Sequence, residues 1–454
     1  MSTLYTDDVT LVHSDTAEIA LEEAVLSDLE AYTQDFVGVF PDKRLYRAFA
    51  DVIRGVLGSR SLLVSQIVAA LPRTTQRLWH AAKRIYRFFG SQRYKHQNLL
   101  RVQYYKTRQT FVSDRSEYVL ILHDFSNVEK EYSRAPEFLS WLFKKGSRRG
   151  QAAKAGQKNT VPGYNLLGSI AVGQDGGKGL TFAKVIAYEG PDFISLNREV
   201  WRAIRYSKAI LPGKKLRHVA DRQWDDQKNF RFIHRQGDEF IIRAYHDRCL
   251  ETRRPRAKRW KETKFKTLAA NIPKRYRWKA TLKVKGKRRH VQIKAGYQEV
   301  RLPGEDFSMW LVVAHASCFR DPWLLLTNVP VTNAQSLRQI CADYARRWGI
   351  EDLFRFLKDR GLNFEDTRLR SFEGICRAVA VVLIVAFFVL TLQRDTECPY
   401  RQALLELGGK LGIKQDKDGP YLLLAGLKRV LDALVVRSFK MPPLSRLGLS
   451  SGST

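Results

Sequence analysis

Three acidic residues are set apart by type and setting. Asp124 closes the apolar run Tyr118-Val-Leu-Ile-Leu-His123, and Asp221 closes Leu216-Arg-His-Val-Ala220. A continuous apolar run ended by an acid reads as a buried central strand, and strand tips in an open α/β sheet deliver side chains to a shared crevice. A single aspartate at such a tip serves equally well as a turn residue bonding its own backbone. The third acid, Glu351, lies in Tyr344-Ala-Arg-Arg347-Trp-Gly-Ile-Glu351-Asp-Leu-Phe-Arg-Phe-Leu-Lys358. At about 100° per residue, one helix puts Tyr344, Arg347, Glu351 and Lys358 within an arc of about 60°. Ile350, Leu353, Phe354 and Leu357 supply apolar material for docking it. That stripe would equally suit a salt-bridge ladder on a solvated face.

Converged, the three carboxylates would be hard oxygen ligands. Mg²⁺ takes one or two carboxylates together with water and substrate phosphate, and Mn²⁺ accepts the same donors. Two such ions about 3.5–4 Å apart can clamp the attacking and leaving oxygens of an in-line phosphodiester displacement. Arg347, through its planar fork, and Lys358, as a point charge, would then hold flanking phosphates.

The charge of the chain asks for the same partner. Its 454 residues hold 78 Lys and Arg against 46 Asp and Glu, a net charge of +32. Residues 1–42 contribute ten acids and no Lys or Arg, so the basic excess belongs wholly to residues 43–454. From Glu251 to His290 there are 17 Lys and Arg and two acids, interleaved with Trp260, Tyr276 and Trp278. Such a chain repels itself unless it meets a polyanion, and nucleic acid is the expected one, although a merely basic solvated face reads the same way. At 44% hydrophobic residues, wholesale disorder is excluded. Five scattered cysteines without a Cys-x-x-Cys pair exclude a disulfide scaffold and a cysteine-type zinc site, and fit a reducing cytoplasm. No charged-then-apolar leader opens the sequence. The run Ala378 to Leu392 is shorter than the roughly 20 residues of a membrane span and reads as a core helix, so no membrane partner is expected.

The elements that must position the acids emerge from the hydrophobic period. An acidic head, 1–42, predicts one helix from Thr16 to Tyr32. It is read as a solubilising tail or as a segment folded over the basic face. Residues 43–112 read as basic helices, with a break at Pro72 and a second helix capped by Thr74 or Thr75 and running to Phe89; a DNA-contacting module and a plain bundle with a basic surface both fit. Strands are predicted at 118–124, 168–173, 180–187, 216–221, 239–244, 310–314 and 323–327, with helices at 196–209 and 225–235. A long helix begins near Asn333. Between them, about 246–308 is a basic, β-rich insertion. The fold class is α/β, a mixed sheet flanked by helices, with helical N- and C-terminal regions. The core spans 113–394, and the helical patterns of 395–454 could mediate dimerisation.

With these residues in place, the sequence resembles the DDE transposases of bacterial insertion sequences, which have a ribonuclease-H-like core. It is most similar to the group with a Tyr-x2-Arg-x3-Glu-x6-Lys signature, matched without a gap by Tyr344, Arg347, Glu351 and Lys358. Val219-Ala-Asp221-Arg222 agrees with the Ala-Asp-Arg context of the second aspartate, and Asp124 with the first. After Asp124 the chain has Phe125 and only then Ser126, where the family often has a hydroxyl residue. The resemblance implies a catalytic, metal-binding triad of Asp124, Asp221 and Glu351 holding two Mg²⁺ ions. It implies DNA contacts by Tyr344, Arg347, Lys358 and Arg222, and a basic track through Arg253, Arg254, Lys287, Arg288 and Arg289. Trp323 matches a tryptophan that handles a flipped base; packing within the sheet is the alternative. Double-stranded DNA, both element ends and target, and a second copy of the chain would be the partners, in a bacterial cytoplasm at the nucleoid. A non-catalytic DNA-binding descendant of a transposase and a structure-selective nuclease remain open.

Overall fold

The structure, a computed structural model, describes residues 7–72, 78–130, 136–143, 160–174, 176–253, 259–284, 287–358, 361–409 and 419–438. Arg254 and the expected caps Thr74 and Thr75 lie outside them. In chain order, helices α1 (Asp7–Gln34), α2 (Lys43–Ser59), α3 (Val64–Ala69), α4 (Leu78–Gly90) and α5 (His96–Val112) come first. Strands β1 (Val119–Glu129), β2 (Ser140–Phe143), β3 (Thr160–Val172) and β4 (Lys178–Ile186) come after them. Next are α6 (Leu196–Ile210), β5 (Leu216–Ala220), α7 (Gln227–Arg235) and β6 (Glu239–Arg243). The basic insertion supplies β7 (Cys249–Thr252), β8 (Lys261–Lys264), α8 (Phe265–Asn271), β9 (Tyr276–Val284) and β10 (Lys287–Arg301). The chain continues with β11 (Met309–Ala316), β12 (Trp323–Thr327), α9 (Ala334–Arg346) and α10 (Trp348–Leu357). Helices α11 (Phe372–Arg394), α12 (Arg401–Leu407) and α13 (Pro420–Arg437) complete it.

Two compact units emerge, one of Met1–Val102, Glu129–Glu137 and Arg355–Thr454, the other of Gln103–Val128 and Phe138–Phe354. The first is helical. Its centre is α11, whose residues from Gly374 to Val389 are all buried, as the absence of any polar stripe requires. Among the described residues it is the one helix long and apolar enough to cross a membrane, and 89% of its apolar window is buried. Arg377 within it donates to the Phe89 carbonyl at 2.7 Å, which satisfies a cation that burial would otherwise penalise. Helix α1 of the acidic head packs within its own unit and is not a free tail. Val25 and Leu29 of α1 are buried, and Tyr32 packs on Phe388 at 5.0 Å. Arg437 pairs with Glu22 at 2.9 Å, an ion pair within that unit. In α13, Leu423, Leu424, Leu427, Val430 and Leu431 are buried as well.

The second unit is built on one 12-stranded sheet, in the order β2-β3-β1-β5-β6-β12-β11-β10-β7-β8, with β4 beside β3 and β9 beside β10. Strands β1, β5 and β6 run parallel, which accounts for their continuous apolar runs: both faces are covered. The insertion extends the same sheet through antiparallel pairs. Trp224, Phe230, Phe240, Ile242 and Leu326 anchor its main core cluster.

Candidate active site

Register brings the first two acids together. Strand β1 pairs with β5 from Val119↔Leu216 to Leu122↔Val219. Continued two residues, that register sets Asp124 opposite Asp221, on strands about 4.8 Å apart. Asp221 also accepts from the Gln223 N–H at 2.9 Å, capping a short 3₁₀ turn. The turn use of aspartate and the site use coexist at this position.

Glu351 is brought in by α10, and glycine makes the approach possible. A Cβ on Gly168 of β3 would lie 2.8 Å from the Phe354 ring and 3.6 Å from Ile350, and one on Gly349 would lie 3.3 Å from Leu122 of β1. The missing side chains allow α10 to lie close on β1 and β3. The expected single long helix is corrected here. It begins as anticipated, with Asn333 capping α9 in a reciprocal box with Ser336, but it is interrupted at Arg347. There the N–H of Arg347 bonds to Tyr344 and that of Ile350 to Arg347, a three-residue spacing that tightens the chain into a 3₁₀ turn. The four-residue stripe therefore does not persist. Lys358 falls beyond the end of α10 and pairs with Glu365 at 3.0 Å.

Tyr344, Arg347 and Glu351 do meet. The Arg347 guanidinium pairs with Glu351 and lies 3.5 Å from Asp124. Burial opposes its charge, but Tyr344, Asp124, Glu351 and Asp221 together hold it above the usual arginine range. Burial pushes the Asp124 carboxyl up to about 8 against the pull of Arg347, with the charges of Asp221 and Glu351 adding to the rise. Burial likewise raises the Tyr344 phenol, opposed by Arg347 and Arg243. One guanidinium thus answers three carboxylates.

Among the described residues, no three His, Cys, Asp or Glu side chains lie close enough to hold a metal as they stand; Arg347 bridges the carboxylates instead. The donors nonetheless fit Mg²⁺ or Mn²⁺. They are hard oxygens, and one is a buried carboxyl whose ionisation a nearby cation would relieve.

The remaining expected contacts divide. Trp323 is 4% exposed, packed against Tyr344 at 5.3 Å, Phe319 at 5.8 Å and Trp348 at 6.2 Å, so it occupies the sheet-packed alternative. Arg222 is exposed and lies over the Tyr245 ring at 5.5 Å. Arg253 pairs with Glu299 at 3.4 Å and stacks on Trp260 at 4.9 Å. Lys287 opens β10. Arg288 and Arg289, adjacent on that strand, belong to opposite faces of it.

Residues not singled out by sequence lie beneath the site. His123 bonds to Ser169 at 2.7 Å and to His218 at 2.8 Å, and stacks on Trp224 at 4.1 Å. Burial, and His218 beside it, hold His123 well below the ordinary imidazole range, hence neutral. This bridge ties β1 to β5 immediately behind both aspartates. Two histidines inside otherwise apolar runs were its visible trace.

Residues 200–388 match a family model described as a transposase DDE domain. The match includes Asp221 and Glu351 and begins after Asp124. No curated protein matches the chain. Among solved structures it is similar to a piggyBac transposase synaptic complex with hairpin DNA, at 9% identity and a TM-score of 0.39, over 95% of this chain and 83% of that one.

Proposed function

We propose that this protein is a DDE transposase, acting on the ends of an insertion sequence by divalent-cation-dependent DNA cleavage and strand transfer. The observation that carries the reading is the register of Asp124 against Asp221 with Glu351 and Arg347 brought to the same place, inside a chain whose residues 200–388 match a transposase DDE domain. The order β4-β3-β1-β5-β6, with the last three parallel, supports a ribonuclease-H-like core. Asp124, Asp221 and Glu351 would hold the cations, which when bound supply charge neutralisation at the phosphodiester and activation of the attacking oxygen. Arg347, released from the carboxylates it now bridges, has the planar fork to hold a flanking phosphate. Tyr344 fixes the Arg347 side chain from behind. The His123–His218 bridge keeps the two aspartate-bearing strands in register. The reading includes terminal inverted repeats and target DNA as substrates, Mg²⁺ or Mn²⁺ as the cations, a dimer on DNA and a bacterial nucleoid setting.

Glu351→Gln is expected to abolish Mg²⁺-dependent nicking of a duplex carrying the flanking DNA of the native locus, while binding to that duplex persists. Nicking that survives the substitution overturns the assignment of Glu351. A wild-type protein that binds without ever nicking would be a DNA-binding descendant instead.

A further inference from the structure

The β9–β10 hairpin separates its side chains cleanly. Val291, Ile293 and Ala295 of β10 are buried, as is Leu282 of β9, and Trp278 on that same side lies under Arg338 of α9 at 5.8 Å. The other side is exposed at each of its described residues where the two strands pair. Its cross-strand pairs are Arg277↔Lys294, Lys279↔Gln292, Thr281↔His290 and Lys283↔Arg288, and Thr281 and His290 confirm the shared face by bonding at 3.1 Å. None of these eight residues is an acid. Two of the pairs set like charges directly opposite each other, an arrangement that costs stability in a sheet.

At one end the array meets a carboxylate. Lys283 pairs at 2.8 Å with Asp352, the residue after Glu351 on α10. Two more cations belong to the same neighbourhood. Arg346 donates to the Gly173 carbonyl in the β3–β4 turn, and Lys178 stands opposite Val172 where that turn ends. Burial depresses the Lys178 ammonium, with Asp352 opposing and Lys283 and Arg346 adding to the fall. Lys178 and Lys283 thus share Asp352, with Arg346 near Lys178.

We propose that the exposed face of β9–β10, through Arg277, Lys279, Lys283, Arg288 and Lys294, is a track for the phosphate backbone of a DNA duplex, ending at the cation group around Asp352 beside the carboxylate site. The proposal rests on the functional reading above and adds which face of the insertion binds. Same-face residues along a strand recur every 6.6 Å or so, so the cations form a line suited to a linear polyanion. The eight paired residues include no large apolar side chain for a protein partner to cover. Arg289, on the opposite face, is excluded from the track.

The test is the salt dependence of binding to a mixed-sequence duplex. Each phosphate that a variant no longer neutralises lowers the slope of log K against log salt by about 0.9. Lys279→Gln combined with Lys294→Gln is expected to lower it by about 1.8, and Arg289→Gln to leave it unchanged. An unchanged slope in the double variant, or an equal drop in Arg289→Gln, overturns the track. If the wild-type chain fails to bind the duplex even at low salt, the functional reading itself fails, which is a distinct outcome.

Discussion

The parallel strands carry buried charge at both ends, and the two ends treat it differently. At the N-terminal ends, Arg217 of β5 donates to Glu239 at 2.7 Å and to Asp343 at 2.5 Å. It also lies 3.5 Å from the centre of the Tyr118 ring. Tyr118 and Gln339 both donate to Asp343, at 2.9 and 2.8 Å, and Lys215 reaches Glu239 at 2.5 Å. Two carboxylates meet two cations, and the bonding closes on itself. At the C-terminal ends, Asp124, Asp221 and Glu351 share one guanidinium, and Asp124 is driven far from its ordinary acidity. Compensated charge of the first kind holds elements together. Uncompensated charge of the second kind is stability forgone, and such sites cluster where chemistry is done.

The contrast can be broken from either end. Removing the cation from the closed cluster should have the largest effect. Arg217→Ala leaves buried Asp343 with no cation and Glu239 with Lys215 alone, and is expected to destabilise the protein by about 3–5 kcal/mol, read as a fall in the urea midpoint. A loss below about 1 kcal/mol would mean that the cluster contributes no more than a surface ion pair. At the open end, a cation should stabilise rather than merely activate. Saturating Mg²⁺ or Mn²⁺, at about 100 times its Kd, is expected to add about 2.7 kcal/mol, measured as a rise in Tm that shrinks in Asp221→Asn.

The smallest effect sharpens the sign. An unfolded aspartate ionises near 3.9, whereas Asp124 in the fold does so at about 8. Between those values the folded state holds a proton that the unfolded state has lost, so stability falls as pH rises from about 4 to about 8. Asp124→Asn removes the penalty. Without metal, it is expected to be more stable than wild type by roughly 1–3 kcal/mol near pH 8 and equal to it near pH 4. Urea unfolding across that range measures it. A variant less stable at every pH would show that Asp124 is compensated after all.

The sequence by itself determined the local pieces. Apolar runs closed by acids marked β1 and β5, the run Trp323 to Thr327 is β12 as expected, and the period from Leu196 marked α6. It also determined that Arg347 and Glu351 could meet, since four residues along a helix are neighbours whatever lies around them. Register, packing and burial belong to the tertiary structure alone. That Asp124 faces Asp221 depends on a pairing across nearly a hundred residues, and that α10 sits close enough depends on Gly168 giving way to Phe354. The interruption at Arg347 has only Gly349, two residues on, to announce it, and Lys358 leaves the stripe because α10 ends at Leu357. Which of Arg288 and Arg289 joins the cationic face is set by pleat and partner strand, neither of which composition records. Side-chain type is written one residue at a time, whereas distance between carboxylates is a property of the whole sheet.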